Sequence, residues 1–507
     1  MIYQSGLIKK DLSVLKKKSW YNQRFDGCLN LMWMISELEI KAEKRKMPGG
    51  NDRLHLGIFA DHKVDWYIDL ADAKRVANMF LHRAKKENSI GQKLLQKWQT
   101  DEIAFDQLVA KFSSDNFSLL SNRDLRLLYK KLTMVYIKAL SSSSLIDDFA
   151  LGTDEIVQQE INKLLDQRQI YQGRGNIFSV LTAPVHQSFI NQAELSLLNI
   201  ALLIGPLKLL VTKLKQPVVK KLVTRHQQQY FWIKNNYHDS YILSERHFIK
   251  EIQSLLKSRI DIKREIDRIK NTPAVNRAQK RKLFKKLQPN RYLLSLLEIS
   301  EKFSYWQDER KKRTLLFTHC ASLLLKEIGR RFGQSLAAMC YLTHDEVNEL
   351  LAGKVFPPTE LLARSKKTFI YQKGNHYEIF SGARAALAVK QIFKDADHSS
   401  IQDFRGLTAA TGKVRGRAKI VKSVKEINKV KPGDILVAVM TRPDYIIGLK
   451  KAAAIVTDEG GVTCHAAIIA RELGIPCIIG TKIGTKVLHD GDLIEVNANH
   501  GWVRKVK

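Results

Sequence analysis

In the stretch VTDEGGVTCHAAIIARELGIPCIIG, Val456 to Gly480, the side chain able to do chemistry is His465. A neutral imidazole is a nucleophile, and its surroundings decide whether it stays neutral near pH 7. Gly460 and Gly461 precede it in a DEGG turn, Thr463 or Cys464 is placed to cap a helix, and HAAIIAREL supplies that helix with strong helix formers. Gly474 marks its stop, and Pro476 begins the next extended segment. Ahead of the turn, AAAIVT is a continuous apolar run of strand length. The order strand, glycine turn, helix start brings unpaired N–H groups and the positive end of a helix dipole beside His465. The helix end disfavours protonation, the N–H groups can take phosphoryl oxygens, and the glycines leave room for a bulky donor. Thr463 adds a hydroxyl that can bond the phosphoryl group or the imidazole. His465 is therefore expected to carry a phosphoryl group. An isolated Gly-Gly-x-x-x-His is more often a histidine that only satisfies a helix terminus, so the rest of the chain must decide.

The elements that would position this histidine fall into two textures. Up to about Phe404 the chain reads as helix after helix. In SNRDLRLLYKKLTMVYIKAL, Ser121 and Asp124 form a cap, and Leu125, Leu128, Leu132, Val135 and Ala139 share a face. LTHDEVNELLAG repeats this logic, with Thr343 answered by Glu346 and a stop at Gly353. HQQQYFWIKNNYHDSYIL spaces Tyr230, Ile233, Tyr237 and Tyr241 as on a helix. The segment from Asp261 to Arg291 is heavily basic and reads as a solvated helix or helix hairpin. Ser141 to Ser144 and Asp395 to Ser400 read as connections. One exception, Arg53 to Leu70, alternates like a strand. Beyond residue 405, short apolar runs alternate with turn signals, as in GRAKIVK, GDILVAV and DGDLIEV. The expected division is 1–404, a largely helical substrate-binding region, and 405–507, a compact α/β domain.

The bulk numbers narrow the function classes. The 507 residues are 44% hydrophobic and 27% charged, an ordinary globular mixture long enough for two to four domains. The segment MIYQSGLIKKDLS lacks the apolar core of a secretory signal. Leu195 to Leu207, the most lipid-like run, is short and broken by Gly205-Pro206, which suggests a buried helix. A cytoplasmic protein with no membrane partner is expected. Five cysteines at wide spacing include no CxxC pair, so packed thiols are expected and not a zinc site or disulfide framework. The net charge of +33 divides as +24 over the first 404 residues and +9 over the last 103. So even a spread fits solvated helix faces better than a nucleic-acid stripe, and nucleic acid is not expected as a partner.

From Thr457 to Gly480 the chain resembles the phosphohistidine signature of phosphoenolpyruvate-utilising enzymes: phosphoenolpyruvate synthase, pyruvate phosphate dikinase, rifampin phosphotransferase and the first enzyme of the sugar phosphotransferase system. The similarity extends back through MTRPDYIIGLKKAAAIVTD, KPGDILVAV and TGKVRGRAKIV, and forward to DGDLIEVNANHGWV, about a fifth of the chain. It implies a C-terminal swivelling β/β/α domain that carries phosphate on His465 between two distant sites. It further implies that Gly460, Gly461, Thr463 and Cys464 form the loop around that group, with Arg471 later on the same helix. Cys464 stands where many relatives have serine. No Gly-rich phosphate loop is visible in the first 400 residues, and only 27 residues follow Gly480. The arrangement resembles rifampin phosphotransferase without its ATP-binding third. ATP and Mg2+ are then expected on a separate ATP-grasp-type partner, with a small-molecule acceptor in the helical region.

Other candidates weigh less. His226, His238 and His247 do not share a helix face and read as solvated or capping residues, with no metal expected. Tyr230, Phe231, Trp232, Tyr237 and Tyr241 read as a core-facing stripe. Lys311, Lys312 and Arg313 can touch phosphate but read as charged helix surface. The competing function classes are a regulatory or interaction protein that keeps the domain without turnover, and a basic nucleic-acid binder.

Overall fold

The computed structural model describes residues 7–34, 54–87, 89–112, 117–141, 143, 145–258, 260–373, 376–393, 403–441, 445–461 and 464–506. Helices fill most of the chain up to residue 392, and a mixed sheet follows. The helix Arg291–Arg331, 41 residues long, is the spine of the first part. Asn290 caps it by accepting the Leu293 N–H at 2.8 Å. Along its length Leu296, Phe303, Trp306, Phe317, Leu324 and Ile328 are buried. They pack against helices Ile90–Phe112, Asn122–Ser141 and Leu145–Gln167. Each such side chain contributes about 1.5–3 kcal/mol on burial.

Several caps sit where the residues placed them. Thr343 Oγ1 accepts the Glu346 N–H at 3.2 Å, and Glu346 returns a carboxylate oxygen to the Thr343 N–H at 2.9 Å. Ser121 Oγ accepts the Asp124 N–H at 3.1 Å. On the helix that follows, Leu125, Leu132 and Ala139 are buried, but Tyr129 and Tyr136 complete the stripe while Leu128 and Val135 lie at its margin. The basic segment is one helix, Ile262–Leu287, with Pro273 inside it and Lys280 buried against Glu301 at 2.7 Å. The apolar run from Leu195 lies in helix Phe189–Ile204, ended by Gly205 at φ 75°. Among the described residues no single helix is long and apolar enough to cross a membrane. Ser141 ends one helix and Leu145 opens the next; the connection read at 395–400 lies outside the described residues.

The strand-like reading of Arg53 to Leu70 holds, while three others need correction, the first being the purely helical reading of its surroundings. The strand-like stretch is a hairpin, β2 (Leu54–Ala60) and β3 (Lys63–Asp69), turning at Asp61 and His62, which both have positive φ. It belongs to a five-stranded antiparallel sheet that the helical reading of this region did not contain. That sheet has the order β1-β3-β2-β4-β5, with β1 (Trp20–Asp26), β4 (Thr368–Lys373) and β5 (His376–Ser381). Second, Tyr230 ends its helix, so Ile233, Tyr237 and Tyr241 are not on it. The paired asparagines terminate it: Asn236 Oδ1 accepts the N–H groups of His238 and Asp239, and Asn235 Oδ1 accepts that of Tyr241. Third, Arg313 is buried, with Glu102 and Asp106 each at 2.8 Å and Glu309 at 3.0 Å. Three carboxylates compensate a charge that a core could not hold alone.

After residue 402 the strands are β6 (Asp403–Arg405), β7 (Leu407–Ala410), β8 (Lys413–Ile420), β9 (Ile435–Ala438), β10 (Ala454–Thr457), β11 (Cys477–Ile479), β12 (Leu493–Asn497) and β13 (Trp502–Lys505). They form one eight-stranded mixed sheet in the order β6-β13-β12-β8-β9-β10-β11-β7. Strands β8 to β11 run parallel, and Ile455 of β10 pairs with Leu436 on one side and Cys477 on the other. Every residue of β9 and β10 is buried, which is why both read as unbroken apolar runs.

Candidate active site

His465 and its partner come from the carboxyl ends of adjacent parallel strands, the usual place for a ligand crevice in such sheets. β10 leads through Asp458, Glu459, Gly460 and Gly461 to Cys464, which occupies the N-cap of helix His465–Leu473. β9 leads to Thr441. The pairing of the two strands continues into the loop, with Asp458 N donating to Ala438 O at 3.0 Å and Glu459 N to Val439 O at 2.8 Å. Thr441 Oγ1 then lies 2.9 Å from His465 Nδ1. If Nδ1 donates that bond, the lone pair of the ring is on Nε2. Nε2 is buried and, among the described residues, has no hydrogen-bond partner. Burial, followed by the positive charge of Lys311, holds the His465 pKa well below its ordinary value. The ring is thus held neutral, with Nδ1 steadied by Thr441.

The loop that presents the ring is tied down from behind. The Asp458 carboxylate accepts from Thr481 Oγ1 at 2.9 Å, from the Thr485 N–H and from the Thr485 hydroxyl. Gly460 has φ 117°, and a Cβ there would stand 2.6 Å from Cys464 Sγ, so only glycine fits. Gly461 O accepts the Cys464 N–H at 2.9 Å, closing the turn into the helix. Gly474, at φ 67°, ends the helix in the left-handed conformation. Thr463 lies outside the described residues. Arg471 is elsewhere: its Nε donates to Ala409 O at 2.9 Å and its Nη1 to Thr182 O at 3.4 Å, so it ties the histidine helix to β7 and to the helical region.

His465 stands at the wall of a cavity of about 210 Å³ lined from both parts of the chain. The spine helix contributes Ser304, Gln307, Asp308, Lys311 and Thr314, a single face at helical spacing, together with Arg310. Lys311 thus faces the histidine and not solvent, a correction to the charged-surface expectation; Lys312 does lie at the surface, near Glu309. Arg310 forms a two-point pair with Asp147 at 2.8 and 3.0 Å. Phe25, Trp66, Tyr136 and Tyr237 give the cavity an aromatic wall. Two of its acids are not ordinary carboxylates. Burial, then the charge of Asp458, pushes Glu459 up to about 9, and the Tyr21 hydroxyl hydrogen-bonds to it. Burial pushes Asp308 up to about 7, against the Phe189 N–H that it accepts at 2.9 Å. A protonated Glu459 spares an incoming anion one like charge.

Polar contacts hold the two parts in this pose. Asn191 Nδ2 donates to Glu472 Oε1 at 2.9 Å, Arg268 Nη1 to Glu472 O at 3.1 Å, and Lys450 pairs with Glu194. In this pose the histidine region closes one side of the cavity.

Residues 430–501 match the family model described as PEP-utilising enzyme, mobile domain. The C-terminal region is a mobile domain of the phosphoenolpyruvate-utilising enzyme family. Over 116 residues, 23% of this chain, it is 56% identical to a probable phosphoenolpyruvate synthase of Archaeoglobus fulgidus. Over 99 residues it is 50% identical to a probable phosphoenolpyruvate synthase of Methanothermobacter thermautotrophicus, and over 101 residues 54% identical to the phosphoenolpyruvate synthase of Pyrococcus furiosus, each match taking 20% of this chain. These matches span only 15%, 14% and 12% of the relatives' own lengths. The similarity therefore describes the mobile domain and leaves the helical residues to be read from their own geometry.

Proposed function

We propose that this chain is a phosphotransferase component whose mobile domain swivels, carrying a phosphoryl group on His465 from a nucleotide or phosphoenolpyruvate donor to an acceptor in the helical region. The observation that carries this reading is Nε2 of His465, unpartnered among the described residues, at a cavity lined by both parts of the chain. In the loading step the Nε2 lone pair attacks phosphorus, the N–P bond forms, and the P–O bond to the donor breaks with its electron pair left on the donor oxygen. In the delivery step an acceptor oxygen attacks the same phosphorus and the N–P pair returns to Nε2. Asp308, with its near-neutral pKa, is placed to receive the acceptor's proton. Arg310, Lys311 and the first N–H groups of the histidine helix stabilise the transferring charge, the main contribution in phosphoryl transfer. Gly460, Gly461, Thr463 and Cys464 form the loop around the phosphoryl group. Arg471 acts from the docking contacts.

Loading requires the domain to leave the helical wall, since a nucleotide is too large to share a 210 Å³ cavity with an acceptor. In this reading ATP and Mg2+ belong to a separate ATP-grasp-type polypeptide. Among the described residues no group of three or more His, Cys, Asp or Glu side chains is arranged to hold a metal ion, and no step here is assigned to one. The test is incubation with ATP, magnesium and an ATP-grasp partner, or with phosphoenolpyruvate. An acid-labile, base-stable adduct is expected on the parent and none on His465→Ala. Equal labelling of both proteins contradicts the mechanism. Absence of labelling with every donor favours an interaction protein.

A further inference from the structure

The mechanism leaves unused the far end of the helix that docks the mobile domain. Helix Phe189–Ile204 ends at Gly205, and the chain bends by 85° into Leu207–Leu214 before helix Pro217–Tyr230 begins. The inner side of this tip is ordinary core: Ile200, Ala201, Ile204, Leu210, Val219 and Val223 pack with Phe248 and Ile252. The outer side is not ordinary surface. Leu202 and Leu203 are each 47% exposed, Val211 69% and Val218 64%, and Leu209 is exposed beside them. Among the described residues, five of the 21 exposed large hydrophobic side chains fall within these seventeen consecutive positions. Scattered single exposures are normal, but such a concentration marks a contact surface.

The charge of the same segment is one-sided. From Leu202 to Arg225, LLIGPLKLLVTKLKQPVVKKLVTR, there are six Lys and Arg and no Asp or Glu. Lys208, Lys215, Lys220, Lys221 and Arg225 are exposed and Lys213 is half-buried. Among the described residues none of the six has an ion-pair partner, although surface pairs are plentiful elsewhere in the chain.

We propose that this tip is a peripheral attachment surface for an anionic membrane. The composition selects lipid over other partners. Protein interfaces favour aromatic residues and arginine and are depleted of lysine, whereas this patch is leucine, valine and lysine. A nucleic acid would use the lysines but leave the aliphatic side chains exposed to water. At a lipid interface both are used: the aliphatic tips enter the acyl boundary, and the lysine stems run along them to the anionic headgroups. The attachment is reversible and superficial, because the bent pair is not a straight span. It departs from the sequence expectation of no membrane partner. Leu203 lies nine residues beyond Glu194, about 13 Å along the helix, so membrane attachment and docking of the mobile domain do not compete.

The test is co-sedimentation of the full chain with phosphatidylcholine vesicles, with and without phosphatidylglycerol. It compares the parent, a charge variant (Lys208→Glu, Lys215→Glu, Lys220→Glu and Lys221→Glu together) and an aliphatic variant (Leu202→Ser, Leu203→Ser, Val211→Ser and Val218→Ser together). Circular dichroism melts confirm that each variant folds. The parent is expected to bind only the anionic vesicles, the charge variant to lose roughly a hundredfold or more in affinity, and the aliphatic variant to lose binding too. Three outcomes overturn the proposal: no parent binding at low ionic strength, an aliphatic variant that binds like the parent, or a tip that captures an acidic protein or nucleic acid and ignores vesicles.

Discussion

Thr441 Oγ1 and His465 Nδ1 lie 2.9 Å apart, joined across the carboxyl ends of two neighbouring parallel strands. This contact orients the ring, and in the proposed mechanism Nε2 is the reacting nitrogen. Thr441→Val keeps the shape and removes the hydrogen bond. Labelling of His465 is expected to slow roughly tenfold, the effect of one hydrogen bond of about 1–1.5 kcal/mol. The melting temperature should hardly move. Unchanged labelling would show that the ring is positioned by packing alone.

The depressed pKa of His465 belongs to the docked pose and has a titration signature. Burial and Lys311 keep the ring neutral below the ordinary histidine range. In the unphosphorylated, docked chain the imidazole is therefore expected to stay neutral from pH 8 down to 6, where an exposed histidine would already be gaining a proton. Lys311→Met removes one of the two causes and should raise the pKa toward the ordinary value. An NMR pH titration of the His465 ring checks both statements; a ring that titrates as an exposed histidine in the parent would contradict them.

Glu459 makes a stability prediction with a definite sign. Its pKa is raised to about 9, so between the ordinary glutamate value and pH 9 the folded chain holds a proton that the unfolded chain has lost. Stability from this group then falls as pH rises, by at most about 1.4 kcal/mol per pH unit. Glu459→Gln removes the dependence. Denaturant melts at pH 6 and pH 8 should show the variant gaining on the parent at the higher pH; the reverse trend would mean that Glu459 is ionised in the fold.

Gly460→Ala puts a methyl group against Cys464 Sγ and forces φ 117° on a residue with a side chain. A cost of about 1–3 kcal/mol is expected, with labelling reduced because the turn must shift. Adding Cys464→Ala should recover only the steric share. Full recovery would show that the backbone conformation costs little.

The mobile domain was legible because its signals are local. β9 and β10 are buried on both faces and read as apolar runs, and the turn, cap and stop around His465 fall within 15 residues of one another. The helical wall was not legible for the opposite reason. β1 pairs with β3, and β2 with β4 more than 300 residues later, so no window of sequence contains the sheet. In DERKKR, helical spacing sends Arg310 and Lys311 to the cavity, Lys312 to the surface and Arg313 into the core. Composition alone cannot separate those fates, although the i, i+3, i+4, i+7 set Ser304, Gln307, Asp308, Lys311 was available as a polar face. Arg471 shows the limit of position on a helix: it follows His465 by six residues yet serves docking, because its partners Ala409 and Thr182 are fixed by tertiary structure.

The most direct measurement is phosphorus NMR of the labelled chain with peptide mapping of the adduct. The account predicts a single phosphoramidate resonance assigned to Nε2 of His465, lost at acid pH and absent from His465→Ala. A phosphoryl group on any other residue, or on Nδ1 with Thr441 displaced, would contradict it.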